Sequence, residues 1–233
     1  MQQTNFQVET VNESSTHYEY TEAGAPSAAI STTRLFGQVM FLVSVAIALL
    51  AVGAYLGQDL SRGAAMACSF GGLGMLLAQS FGGERFRVGG FAIGWLYGLS
   101  VLIGFGLGPA ISYYVEFDPA AVAQAAGGTA LIVVGMGAVG LLMSKDVSPW
   151  MKPLSIVVLI AVAISIGSLI FGGVGSLSPI LSLLILAVSA LLIMVDFNYL
   201  RKHGTEADTV WLATGIFVSI VNIFVSLLSL LGD

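Results

Sequence analysis

The residues of this chain whose types and spacing could support chemistry lie in its last two apolar segments. Ser182, Ser189 and Asp196 follow one another at intervals of seven residues, which places them on one face of a helix. In the final segment, small and polar residues recur at spacings of four, three, four and three, again on one face: Gly215, Ser219, Asn222, Ser226 and Ser229. A carboxyl group, hydroxyls and an amide in this arrangement could bind a cation or join two helices by hydrogen bonds.

Two interpretations of Asp196 remain open at this point. An acid near the centre of a membrane helix costs about 2.5–3.5 kcal/mol on insertion scales, so it is a candidate functional residue by default. However, Asp196 lies about four residues, or roughly 6 Å, from the predicted end of its segment, where it could be hydrated or paired with Arg201 or Lys202. We predict a polar seam within the membrane between the two segments, formed by Asp196, Ser219, Asn222, Ser189 and Ser226.

Seven apolar segments position these residues. They cover residues 35–56, 63–81, 89–108, 122–143, 154–174, 178–200 and 209–231. Each has 19 to 23 residues, and roughly 20 residues of helix cross a hydrocarbon core of about 30 Å. Gly and Pro in the connections, as in Gly172 to Gly175, favour seven separate passes. The prediction is an all-α, polytopic membrane bundle of seven transmembrane helices, with residues 34–233 as one domain.

The third connection is less clear from the sequence. Residues 109–114 are less polar than the other loops, and Tyr113 and Tyr114 suit a membrane–water interface. The same residues could instead continue the third helix.

Basic residues predict the orientation. If the segments cross alternately, seven of the eight Lys and Arg residues lie on one side of the membrane, and the exception is Arg62. The seven are Arg34, Arg85, Arg87, Lys145, Lys152, Arg201 and Lys202. Short loops rich in Lys and Arg stay in the cytoplasm. The N-terminus is therefore predicted to be cytoplasmic and the C-terminus external.

Composition agrees with a membrane protein and argues against an enzyme. Hydrophobic residues are 57% of the chain and charged residues 9%, far below the roughly 25% of a soluble domain. The two histidines, His17 and His203, lie outside the apolar segments, and Cys68 is the single cysteine. No nucleophile–base pair, metal-spaced cluster or phosphate loop with a Lys is present. We predict no catalytic residue, no metal site, no cofactor and no nucleic-acid partner; the lipid bilayer is the expected surrounding.

Residues 1–33 differ from the rest of the chain. They are rich in Thr, Ser, Glu and Gln, lack Lys and show no apolar period, so we predict a disordered cytoplasmic tail. It could be a docking segment for a cytoplasmic partner or an end without a role.

Small residues spaced by four predict close helix packing, because packing in lipid depends on close backbone approach. One such ladder is Gly90, Gly94 and Gly98 in the third segment, and another is Ala64, Cys68 and Gly72 in the second.

Several motifs resemble the Bax inhibitor-1 family, in particular its bacterial YccA-like branch. The most specific is the C-terminal run from Val221 to Gly232. Further matches are residues 107–114, residues 127–131 and the basic–acidic pair Lys145 and Asp146. They occur in order over residues 35–233, so the resemblance covers the membrane part and leaves out the tail.

The resemblance implies a bacterial inner-membrane protein with seven helices and the last helix inside the bundle. It also implies two different activities. YccA-like members bind and restrain the membrane-anchored AAA protease FtsH in quality control and stress response, with the cytoplasmic tail as the handle. Other members are pH-sensitive calcium leak channels gated by two aspartates on the last two helices. Asp196 matches the first aspartate, whereas Ser219 stands at the second position, so the acid pair is absent and the protease-modulating activity is favoured.

The predicted orientation can be tested with reporter fusions. A reporter fused after Asp233 should be active outside the cytoplasm, and fusions near Gly83 and Gly204 should be active inside, because basic loops are retained there. A C-terminal fusion that is active only in the cytoplasm would rule out seven passes.

Overall fold

The computed structural model describes residues 32–171 and 178–232, which form seven long helices joined by short connections. The predicted tail, apart from residues 32 and 33, and the turn predicted at residues 172–175 lie outside the described residues. Each helix is long and apolar enough to cross a membrane, and the described ranges contain no strand. The helices are α1 (Thr32–Leu56), α2 (Arg62–Phe81), α3 (Gly89–Phe117), α4 (Pro119–Leu142), α5 (Met151–Phe171), α6 (Ser178–Lys202) and α7 (Thr209–Leu231).

The predicted seven-helix fold is confirmed, and the structure decides the interpretation of residues 109–114. They continue α3 to Phe117, so the connection to α4 is reduced to Asp118. Pro109 lies inside α3 and follows Gly108, which has no Cβ to clash with the proline ring. Asp118 then begins α4, where its side chain accepts a hydrogen bond from the Ala121 N–H and Pro119 occupies the first turn.

The outer surface of the bundle is apolar. Large hydrophobic side chains are exposed along most of the helices, including Phe41, Tyr55, Leu131, Val134, Leu142, Ile160 and Leu183. A continuous apolar surface of this kind suits acyl chains, because lipid offers no partner for polar groups. The protein is a multi-pass membrane protein.

The last helix occupies the interior of the bundle, as the resemblance implied. α7 packs against α6, α4, α1 and α3, and its buried residues extend from Val210 to Leu228. They include Ile216, Phe217 and Ile223, which are fully buried. Among the polar residues of α7, Thr214, Ser219 and Ser226 are therefore buried within the protein.

One end of the bundle carries the basic loops, and we call it the basic end. It contains the start of α1, the α2–α3 loop, the α4–α5 loop and the α6–α7 loop. Contacts join these parts: the guanidinium of Arg87 lies 5.1 Å from the ring centre of Trp211, and Asn198 of α6 bonds to the α4–α5 loop. The basic end is the end predicted to be cytoplasmic.

Glycines bring α1 and α3 into backbone contact. A Cβ added at Gly57 would lie 2.9 Å from the Cα of Phe105, and one added at Gly104 would lie 2.9 Å from the backbone N of Ala54. Contacts under 3.0 Å to backbone atoms cannot be relieved by a side-chain rotation. Only glycine fits at these positions, which explains why α1 and α3 form the most extensive helix pair.

The prediction that Gly90, Gly94 and Gly98 of α3 pack closely against another helix of this chain is wrong. No atom of the described residues would meet a Cβ at Gly90 or Gly94 within 4 Å, and at Gly98 the described neighbour is the Cε of Met75 at 3.8 Å. The close contact lies further along α3, where Gly104 and Gly108 face α1. Of the ladder on α2, Gly72 does pack closely, since its added Cβ would lie 3.0 Å from the Cγ1 of Ile103.

Substitution of Gly104 tests the α1–α3 contact. Gly104→Ala should destabilise the protein by about 1–3 kcal/mol, the usual cost of overpacking a tight contact. Gly94→Ala, on the same helix with open space around it, should be neutral or slightly stabilising because Ala is the better helix former. Thermal unfolding of both variants in one detergent provides the comparison; equal effects of the two substitutions would contradict the assignment.

Candidate functional site

A cavity of about 590 Å³ lies between α7 and the helices α2, α3, α5 and α6. Most of its lining is apolar, with residues such as Leu73, Ile103 and Val162. Polar side chains from α2, α5, α6 and α7 are distributed along it: Ser69, Gln79, Ser80, Ser155, Ser165, Ser182, Asp196, Thr214, Ser219, Asn222, Ser226 and Ser229. The cavity exists because α2 packs mainly on α3 and α5 mainly on α6, while α2 and α5 touch each other only slightly.

Among the described residues that line the cavity, Asp196 is the one with a carboxyl group. Its side chain is buried, with the residue 5% exposed. It lies over α7 at Gly215, where an added Cβ would come within 3.4 Å of its Oδ2 atom. Among the described residues, no hydrogen-bond donor reaches the Asp196 carboxyl. The absence of a side chain at Gly215 leaves that carboxyl group facing the cavity.

The second interpretation was that Asp196 is hydrated or paired with Arg201 or Lys202, and the structure does not form that pairing. Arg201 donates to the Met143 carbonyl and Lys202 to the Ser144 carbonyl, both at the end of α4. These bonds hold the two cations at the basic end, beyond the cavity. Asp196 therefore lies in the protein interior without a basic partner among the described residues.

The other residues of the predicted seam are placed in two groups. Ser219, Asn222 and Ser226 line the same cavity as Asp196, although none of them donates a hydrogen bond to it. Ser189 is fully buried outside the cavity lining, and its hydroxyl has no partner among the described residues. At the opposite end of the cavity from the basic end, Ser182 of α6 donates to Ser229 of α7 at 3.2 Å. Four of the five predicted seam residues thus line one cavity, and among the described residues the Ser182–Ser229 bond joins α6 directly to α7.

Gln79 and Thr214 form a contact across the cavity that the sequence did not reveal. The Gln79 Nε2 atom donates to the Thr214 Oγ1 atom at 3.1 Å, and Thr214 donates in turn to the Val210 carbonyl. This bond joins α2 to α7 near the basic end. The Gln79 Oε1 atom is buried and lacks a partner among the described residues. The spacing of polar residues did not predict the contact between Gln79 and Thr214, because Gln79 belongs to no row of polar residues along one face of α2.

Asn198 is the second residue that the sequence reasoning missed. It is fully buried, and its Oδ1 atom accepts a hydrogen bond from the Val147 N–H at 3.1 Å. Its Nδ2 atom lies 3.2–3.3 Å from the carbonyl oxygens of Gly140, Met143 and Lys145. These carbonyls belong to the end of α4 and the following loop, where a helix lacks internal partners. The sequence did contain a signal for Asn198, because it is a polar residue in an apolar segment. It lies two positions after Asp196 and therefore on a different face of α6.

The α4–α5 loop has a further polar contact outside the membrane-spanning segments. The Nε2 atom of His203 lies 2.6 Å from the Asp146 Oδ2 atom, and Ser148 donates to the same carboxylate through its N–H and its hydroxyl. The hydrogen bonds from Ser148, with a smaller effect of His203, hold the pKa of Asp146 well below its usual range. A lowered pKa in the folded state means that this contact stabilises the loop at neutral pH and is lost on acidification.

The cavity brings together hydroxyl, amide and carboxyl groups and no cluster of typical metal ligands among the described residues. No three His, Cys, Asp or Glu residues come together within the described part of the chain. A calcium ion takes 6–8 oxygen ligands, and the cavity offers one carboxyl group. Hydroxyl and amide groups spread over several helix turns can contact water or a ligand, and the carboxyl group can supply one negative charge.

Two neighbouring residues on α6 provide a matched test of these roles. Asn198→Ala removes bonds to buried backbone groups, and each group left unsatisfied costs about 1–3 kcal/mol. Asp196→Asn removes no hydrogen bond among the described residues, so its effect on the free energy of unfolding should stay below the roughly 0.6 kcal/mol average of an interhelical hydrogen bond. Thermal unfolding measures stability, and trypsin cleavage at Lys145 measures release of the loop. Equal stability of the two variants, or an unchanged cleavage rate in Asn198→Ala, would contradict this account.

Comparison with known proteins agrees with this architecture. Residues 32–233 match the family described as "Inhibitor of apoptosis-promoting Bax1". The chain is 31% identical over 144 residues to an "Uncharacterized membrane protein" of Vibrio cholerae, covering 59% of this chain and 62% of that protein. It is 30% identical over 131 residues to the "Modulator of FtsH protease YccA" of Escherichia coli K12, covering 56% of this chain and 59% of that protein.

The same identity and coverage relate it to the "Inner membrane protein YccA" of a second Escherichia coli strain. The chain thus spans about three fifths of the length of the curated relatives it matches. With seven membrane-spanning helices and relatives of this kind, it is a multi-pass inner-membrane protein. The family match covers every described helix, and the chain belongs to the Bax inhibitor-1 family.

Proposed function

We propose that this protein is a non-enzymatic membrane protein that binds and modulates a membrane-anchored AAA protease of the FtsH type. The observation that carries the proposal is the similarity to a relative named as a modulator of FtsH protease. The function would belong to membrane-protein quality control or the stress response.

The basic end supports this proposal as a docking surface. Its α4–α5 loop is fixed to α6 by Asn198, by Arg201 and by Lys202, so the loop presents a defined polar surface. The α2–α3 loop is fixed to α7 through the contact of Arg87 with Trp211. Preorganised loops lose less conformational entropy when a partner binds. The predicted orientation puts this surface in the cytoplasm, together with the predicted tail of residues 1–33.

The polar cavity supports a non-enzymatic role. Among its described lining residues there is one carboxyl group, with no His or Cys beside it. A nucleophile needs a base within hydrogen-bond reach, and His203 lies in the α6–α7 loop, bonded to Asp146. The lining therefore suits binding better than covalent chemistry.

Co-purification tests the proposal. The full-length chain should capture an FtsH-type protease from detergent-solubilised membranes, whereas a chain without residues 1–31 should capture less and persist longer in cells. The physical reason is that an ATP-driven protease must engage an unstructured segment, and residues 1–31 have that composition.

A matched control carries the same 31 residues in scrambled order. If the protein with the scrambled tail is degraded as fast as the full-length chain, the protease needs only an unstructured segment. If it persists like the truncated chain, recognition depends on the order of residues in the tail. Equal capture of the protease by an unrelated seven-helix protein would refute the proposal.

A second candidate function is a pH-sensitive calcium or cation leak channel of the Bax inhibitor-1 type. The observation that favours it is the polar lining of the cavity along α7 from Trp211 to Ser229, a distance of about 27 Å at 1.5 Å per residue. Against it stands Ser219 at the position of the second aspartate, with no acid beside Asp196 in the lining. Without a second carboxylate, the like-charge repulsion that would make gating depend on pH is missing.

Calcium flux into liposomes distinguishes the candidates. The unmodified chain should show little flux and a weak response to pH. Ser219→Asp should gain pH dependence, because a second carboxylate raises the cost of ionising both. Ser229→Asp, further along the same face of α7, serves as the control for an added charge. Strong, pH-dependent calcium flux through the unmodified chain would favour the channel function over the protease-modulating function.

A further inference from the structure

One buried carboxyl group in the cavity receives no hydrogen bond from the part of the chain that the structure describes. The Asp196 carboxyl is buried, opens onto the cavity beside Gly215 and receives no hydrogen bond among the described residues. Buried polar groups are normally satisfied, and each that is not has a cost of about 1–3 kcal/mol. A ligand that donates a hydrogen bond to the Asp196 carboxyl would remove this cost.

The remainder of the lining indicates the chemical nature of that ligand. Small-molecule sites have volumes of about 300–1,000 Å³ and are mostly apolar, with a few polar groups that fix orientation. This cavity has about 590 Å³ and is mostly apolar. A hydrated metal ion would make no favourable contact with the apolar walls, and a single carboxyl group would be its charged ligand. An organic molecule with an apolar body and a single positive charge would match both parts of the lining.

An entrance lies close to Asp196. Ser80 of α2 and Ser155 and Ile156 of α5 line the cavity and are exposed at the surface of the bundle. Ile156 is 57% exposed. These residues are within about two helix turns of the basic end, and so is Asp196. Amphipathic molecules collect at this depth of a membrane, where an apolar body and a polar group are both accommodated.

We infer that the cavity binds a hydrophobic organic ammonium compound, with its ammonium group donating to the Asp196 carboxylate and its apolar body among α2, α5 and α7. The site reaches the lipid boundary through the gap between Ser80 and Ser155. This inference concerns a ligand site in the bundle interior and is independent of the proposed contact with a protease at the basic end.

Equilibrium dialysis tests the inference with two probes of the same shape. The charged probe is 1-naphthylmethylammonium, and the uncharged probe is 1-naphthylmethanol. The full-length protein is held in phosphatidylcholine nanodiscs, and uptake by empty nanodiscs of the same lipid is subtracted. The protein should bind the charged probe saturably at one site per chain, and more tightly than the uncharged probe.

Asp196→Asn keeps the shape of the side chain and removes its charge. It should weaken binding of the charged probe by roughly ten- to a hundredfold, which corresponds to loss of one hydrogen bond to a charged group. Its binding of the uncharged probe should not change. The matched control is Asp59→Asn, which makes the same chemical change at an exposed residue between α1 and α2 and should leave both affinities unchanged.

Gly215→Ala gives a second test that keeps the carboxyl group and does not depend on folding of Asp196→Asn. The new methyl group would lie 3.4 Å from the Asp196 Oδ2 atom and cover it without a severe clash. Binding of the charged probe should fall more than binding of the uncharged probe. Equal affinity of the unmodified protein for the two probes would overturn the inference. Retention of charged-probe affinity within about twofold by a folded Asp196→Asn variant would overturn it too.

Discussion

A bilayer offers polar side chains no partner, and the position of α7 follows from that constraint. A helix with Thr214, Ser219, Asn222 and Ser226 along its length would be costly at the lipid boundary. Placed in the interior, it is covered on one side by α1, α4 and α6, and on the other by the cavity. The surrounding helices can then present apolar residues to lipid. The central position of α7 and the polar cavity are therefore two results of one requirement.

Without water to drive association, the bundle is held by two other kinds of contact. The first is backbone against backbone, where Gly57 and Gly104 allow α1 and α3 to touch. The second is side chain against backbone, where Asn198 satisfies the carbonyl groups that α4 leaves unpaired at its end. Both kinds of contact depend on single residues that no similar residue can replace. The glycines must lack a side chain, and the Asn198 amide must both donate and accept hydrogen bonds.

The sequence predicted the helices well because each one carries its signal locally. Continuous apolar segments and Gly or Pro at their ends require no knowledge of neighbours, and the seven segments correspond to α1 through α7. Residues 109–114 were undecided, since Pro109 can end a helix or lie within one. The residues around the cavity were predicted in part: Asp196, Ser219, Asn222 and Ser226 recur on helix faces. Gln79 and Asn198 act through distant partners, at separations of 135 and of 51 to 58 residues, and no periodicity reports such contacts.

The slight contact between α2 and α5 has a mechanical consequence. Glycine packing joins α1 to α3, and α2 lies on α3, so these three helices form one packed body. Asn198 and the basic residues after it fasten α4 and the α4–α5 loop to α6, and α5 lies on α6, which makes a second body. Between α2 and α5 only a few contacts must be broken. α7 contacts both bodies, so a separation of α2 from α5 beside Ser80 and Ser155 would break fewer contacts than a separation of α7 from α6.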